Sequence, residues 1–169
     1  MANQAPEPWL RGSIDNVNPL LAPVLYAFRQ AREDVAAATN GFTPEQLWNR
    51  PHGAASIGYH IRHMGGAAQR LMTYVQGRQL SPEQFAAIKS EQETGASREE
   101  LLAGLDDQFR TAEAVVRGLD PATLAEPREV GRQHLPSTVI GLLTHIAKHT
   151  ARHTGQAVTT SKMVRSPDA

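Results

Sequence analysis

His145-Ile-Ala-Lys-His149-Thr-Ala-Arg-His153-Thr-Gly-Gln156 carries three histidines at four-residue steps. An α-helix turns about 100° per residue, so each step returns to nearly the same face. Two imidazoles placed this way can grip one metal ion, because a neutral ring nitrogen is a favoured ligand of zinc, nickel, copper and iron. The chain has 7 histidines. Five fall in two helical segments: His60 and His63 in one, His145, His149 and His153 in the other.

Working outward from that run, the helix bearing it is expected to be capped by Ser137, after Pro136, and to reach about Met163. Three more long segments have a single apolar face. The first spans Pro19 to Thr39, with Pro23 as an alternative first turn, and ends at Asn40-Gly41. The second starts at the N-cap Ser56 and runs to Gln76-Gly77, with Ile57, Ile61, Met64, Ala68, Leu71 and Val75 on one face. The third opens on the capping box Ser97-Arg-Glu-Glu100 and ends near Gly118. Thr43-Pro-Glu-Gln46 and Ser81-Pro-Glu-Gln84 open two shorter helical pieces, the second reaching Ser90. Strand character shows only around Val130 to Leu135. Residues 1–18 read as an extended lead-in, with Trp9 and Leu10 packing back onto the body or, as the alternative, a frayed tail. Residues 19–163 read as one domain and 164–169 as a C-terminal tail. The expected class is all-α, an antiparallel four-helix bundle.

Composition removes several functions. The 17 basic and 17 acidic residues balance, so the positive footprint of a nucleic-acid binder is missing. Aromatic residues make up 5% of the chain, too few for base-stacking platforms. There is no cysteine, which excludes disulfides, thiolate metal sites and a cysteine nucleophile. Met1 to Trp9 has no apolar signal-peptide core, and no apolar run approaches the ~20 residues of a membrane helix. The expectation is a cytoplasmic protein without nucleic-acid or membrane partners.

Helical phase then ranks the histidines. Taking Val139 as zero, His153 falls at about −40°, His149 at about −80° and His145 at about −120°. His149 and His153 therefore border the apolar stripe. With Ile57 as zero, His60 falls at about −60° and His63 at about −120°, so phase alone prefers His60 as the inward group. Against a metal site stands the ordinary use of histidine as a cap or polar edge. The His-Glu-x-x-His motif is absent, and so are the Glu-x-x-His pairs of di-iron bundles. Neither motif contains a carboxylate base, and Glu91 and Glu93 lie in a connection between helices.

The stretch Ser56-Ile-Gly-Tyr-His-Ile-Arg-His63-Met-Gly-Gly, followed by His149-x-x-x-His153-Thr-Gly-Gln156, resembles the DinB/YfiT-like superfamily. Thr43-Pro-Glu-Gln-Leu-Trp-Asn-Arg-Pro51 is similar to that family's lead into its second helix. The resemblance covers roughly residues 19–160. It implies a four-helix bundle that holds a divalent metal with one histidine of the second helix and two of the last. Here these are His63, His149 and His153. It agrees with phase in the last helix and overrules it in the second. His60 and His145 each stand a turn before an implied ligand, as supporting groups, substrate contacts or alternative ligands.

The resemblance also implies a zinc or nickel ion, with iron or manganese as alternatives, and for some relatives thiol-dependent transfer or isomerisation. Three histidines leave open positions on a metal, the arrangement of a catalytic site, where a coordinated water or thiol has a lowered pKa. The expected function is a metal-dependent enzyme acting on a small molecule, a thiol S-transferase or a hydrolase. The alternative is a non-catalytic metal-binding or stress-response protein. Arg62, Arg70 and Arg152 are candidates for an anionic thiol cofactor, against their ordinary place on a solvated helix face. A homodimer is expected, twofold pairing being the commonest soluble assembly.

Overall fold

The computed structural model describes residues 5–166. Its elements are α1 Ala22–Ala38, α2 Pro44–Trp48, α3 Ile57–Val75, α4 Pro82–Ser90, α5 Arg98–Arg117, β1 Pro127–Val130, β2 Leu135–Thr138 and α6 Val139–Arg165. Helix starts follow local chemistry. Thr43, Ser81 and Ser97 each accept from the backbone N–H three residues on, and Gln46, Gln84 and Glu100 return the bond to the cap. The Ser56 hydroxyl accepts from the Tyr59 N–H and starts α3.

The long helices close a ring of contacts. Helix α3 packs on α6, α6 on α1, α1 on α5 and α5 on α3. Their apolar stripes meet in one core, where the fully buried rings of Phe28 and Phe109 stack with centroids 4.3 Å apart. The chain is thus mostly helical. No described helix is long and apolar enough to cross a membrane.

The all-α expectation needs one correction. Strands β1 and β2 pair antiparallel, with Val130 opposite Leu135 and Pro127 opposite Thr138. The 130–135 region is the hairpin's turn and inner pair. Each strand has only four residues and contains a proline, so no alternation was there to read. The Arg128 Nε–H donates to the Val75 carbonyl at 2.8 Å and fastens the hairpin to the end of α3.

Because Ser137 belongs to β2, opposite Arg128, it does not cap α6. Thr138 does, accepting from the Gly141 N–H at 3.1 Å. Helix α6 also continues past Met163 to Arg165. That guanidinium donates to the carbonyls of Ala38 and Asn40 and lies over the Phe42 ring.

The lead-in also differs in part. Residues 1–4 lie outside the described residues, but Pro8–Leu10 forms a 3-10 turn. Trp9 and Leu10 do not pack back: they are 59% and 58% exposed, and Pro8 and Ile14 are the buried residues. The indole N–H of Trp9 is satisfied locally by Glu7 at 2.7 Å.

Candidate metal centre

The α3–α6 interface brings histidines from both helices together. One ring nitrogen from each of His63, His149 and His153 can be chosen so that all three lie within 4.8 Å of one another. Ring centroids are 4.4 Å apart for His149 and His153, 4.6 Å for His63 and His153, and 4.9 Å for His63 and His149. His63 Nε2 faces His149 Nε2 at 3.2 Å. Two nitrogens each about 2.0–2.1 Å from one tetrahedral ion would be about 3.4 Å apart, so the donor set fits a small divalent ion.

The four-residue spacing explains why His149 and His153 meet. Both project from one face of α6 toward α3 and are partly buried. Phase was right about burial in α3, where His60 is 5% exposed and His63 is more open. Yet His63 is the one that joins the close triple. His60 Nδ1 meets His153 Nδ1 at 3.0 Å, and with His153 as the donor its Nε2 keeps a lone pair. His145 is exposed, and among the described residues its one ring neighbour is His149, at 5.6 Å between centroids.

Burial tunes His60, His149 and His153 toward the neutral form that coordinates metal. Desolvation is the main cause, with charge from neighbouring histidines second. It lowers His60 and His149 to about 4 and His153 to about 3. His145 is lowered in the same direction, again chiefly by desolvation and then by Lys148 and Arg152.

The unfolded chain titrates His60, His149 and His153 near 6.5 and so binds more protons there than the folded one from that pH down to about pH 4. Folding stability of the metal-free protein should therefore be full above 6.5 and fall as pH drops through that window. With partial solvent screening the loss is on the order of 1 kcal/mol per imidazole. Urea midpoints measured from pH 7 to 4 should decline, and the slope should flatten in His153→Gln. A flat wild-type profile would contradict the burial argument.

Sequence reasoning left one participant unassigned. Glu91, just after α4, is 5% exposed and sets Oε2 2.8 Å from His63 Nδ1. Arg70 Nη1 stands 2.6 Å from Glu91 Oε1, a charge contact off hydrogen-bond alignment that leaves this oxygen without a well-placed donor. A signal was present in α3. Two consecutive glycines, Gly65 and Gly66, cost roughly 1 kcal/mol each in a helix interior, which implies that something must come close. A Cβ at Gly66 would strike Glu91 Oε1, and one at Gly65 would strike the Gln108 side chain.

Two of the three arginines considered for an anionic cofactor are engaged within the fold. Arg62 donates to the carbonyls of Ser90 and Glu93 and lies over the Trp48 ring. Arg70 faces Glu91, and Arg152 is exposed on α6. A polar cavity of about 580 Å³ is lined by Arg62, Gln69, Arg70, Glu91 and Gln108 among others. None of the clustered histidines lines it, so among the described residues it touches the centre only through Glu91.

No curated protein matches the chain. The family model of the DinB superfamily matches residues 27–157, from within α1 to beyond His153 in α6, and so includes all the clustered histidines. The chain belongs to the DinB superfamily.

Proposed function

We propose that this protein is an antiparallel four-helix bundle that binds one divalent metal ion through His63, His149 and His153. We further propose that it acts as a metal-dependent enzyme on a small molecule, by thiol transfer or hydrolysis. The observation that carries the reading is the convergence of three imidazole nitrogens within 4.8 Å, two of them on rings, His149 and His153, that burial pushes toward the neutral form. Imidazole donors suit zinc and nickel, with iron or manganese as alternatives. Bound there with positions left open, such an ion supplies Lewis acidity toward a thiol, water or carbonyl oxygen. The chain's own contribution is to hold the donors apart from bulk solvent and in the correct tautomers.

Elemental analysis after chelator-free purification, with titration of the apo protein, is the first test. About one equivalent of transition metal is expected. Less than about one-tenth equivalent with no uptake on titration would reject the reading in favour of purely structural histidines. The loaded protein, given low-molecular-weight thiols with electrophiles, or hydrolysable esters, should turn over in a way that vanishes in His63→Ala.

One observation favours a non-catalytic metal-binding or stress-response protein instead. The carboxylate that reaches the cluster, Glu91, is held between His63 and Arg70 and is not free to take a proton from substrate. Metal occupancy without turnover across the same screen would select that reading. We also propose a homodimer, which a monomer mass by light scattering at micromolar concentration would reject.

A further inference from the structure

We propose that Glu91 is a positioning residue of the three-histidine centre: it fixes His63 with Nδ1 protonated, leaving Nε2 as the coordinating nitrogen turned toward His149. The inference rests on the metal reading above and adds a residue outside both histidine motifs.

The geometry assigns opposite duties to the two nitrogens of His63. Nδ1 lies 2.8 Å from Glu91 Oε2, while Nε2 lies 3.2 Å from His149 Nε2. A carboxylate only accepts, so Nδ1 must donate and the neutral ring keeps its lone pair on Nε2. A neutral imidazole left to itself chooses either tautomer, and one of them would aim a proton at the metal. A carboxylate behind the ring removes that choice and raises the basicity of the coordinating nitrogen.

Much of the local structure serves to bring Glu91 there. An acid 5% exposed is costly to bury without partners, and Arg70 supplies the opposing charge at 2.6 Å. Gly66 lacks the Cβ that would collide with the carboxylate, so the loop can lie against α3. The loop is pinned on both sides of Glu91. Arg62 Nη1 donates to the Ser90 carbonyl at 2.9 Å and to that of Glu93 at 2.5 Å. Farther along, the Trp48 indole N–H donates to the Ala96 carbonyl at 3.0 Å. An acid placed only to neutralise Arg70 would not need an oxygen aligned on His63. The two contacts together describe a carboxylate clamped from one side and aimed from the other.

Two readouts test this. Long-range proton–nitrogen NMR of the apo protein at pH 7 should show His63 as the Nδ1–H tautomer in wild type, shifted toward Nε2–H in Glu91→Ala. The dissociation constant for Zn²⁺, by competition with a chromophoric chelator, should rise 10- to 100-fold in Glu91→Ala. Glu91→Gln, whose amide oxygen still accepts from Nδ1, should recover much of both. A wild-type His63 already in the Nε2–H form overturns the proposal. So does an unchanged affinity in a folded Glu91→Ala variant, even one with a lowered melting temperature, because that is the mark of a merely structural acid. If the wild type takes up no metal at all, the three-histidine reading fails, and the tautomer result alone still decides whether Glu91 sets His63.

Discussion

Alanine at His63, His149 or His153 should each reduce metal affinity by more than about 100-fold, beyond the 10- to 100-fold that outer supporting groups command. Each change deletes one of the three imidazoles that converge within 4.8 Å, and among the described residues no acid or further histidine completes that close group. His60→Ala should fall in the lower range. It removes the partner 3.0 Å from His153 Nδ1 and frees that ring to rotate, but takes away no donor of the triple. His145→Ala should be near neutral, because the ring is exposed and its one ring neighbour among the described residues is His149. Competition titrations on the five variants would check the order. Loss in His145→Ala with retention in His153→Ala would shift the ligand pair by one turn of α6 and refute the assignment. The melting temperature provides a second measure. A ligand bound only to the native state stabilises it, so metal should raise the wild-type value and leave the three ligand variants almost unmoved.

How far the sequence carried this follows from the range of each interaction. The long helices were legible because caps and apolar periodicity are local. Ser56, Ser81 and Ser97 sit where α3, α4 and α5 begin, and Ser90 ends α4 as expected. The start of α6 was misplaced by one residue because Ser137 and Thr138 are both good caps, and only pairing with Arg128 commits Ser137 to a strand. The hairpin was legible only around Val130 to Leu135, because its strands are four residues each and both carry a proline. Within the site, phase on α6 ranks His149 and His153 nearest the apolar stripe, and these are the two that join the close triple. In α3, phase measured burial, and burial is not convergence: His60 is the deeper ring, but His63 is the one in the close triple. Glu91 is 28 positions from His63 in the chain, and no periodicity relates a loop residue to a helix face. Its trace in the sequence was indirect, in the two glycines that make room.

The largest effect on stability, by contrast, is expected far from the histidines. Phe109 of α5 is 0% exposed and stacks on Phe28 of α1, also 0% exposed, at 4.3 Å and 20° between ring planes. The Arg32 guanidinium also lies over the ring, 5.3 Å from its centroid, and is in turn held by Asp106 at 2.8 Å and Glu113 at 2.5 Å. Phe109→Ala removes the ring from the α1–α5 contact and leaves a cavity that the Arg32 ion pairs keep from collapsing. The expected cost is about 3–5 kcal/mol. In a chain of this size that lowers the melting temperature by roughly 6–20 °C. The measurement belongs on apo protein, where bound metal cannot mask part of the loss. Metal affinity at a temperature where the variant is still folded should be unchanged, since the donors are carried by α3 and α6. A cost below about 1 kcal/mol would mean that α1 and α5 close over the gap. A large fall in metal affinity would mean that the α1–α5 half of the core also sets the spacing of the histidines.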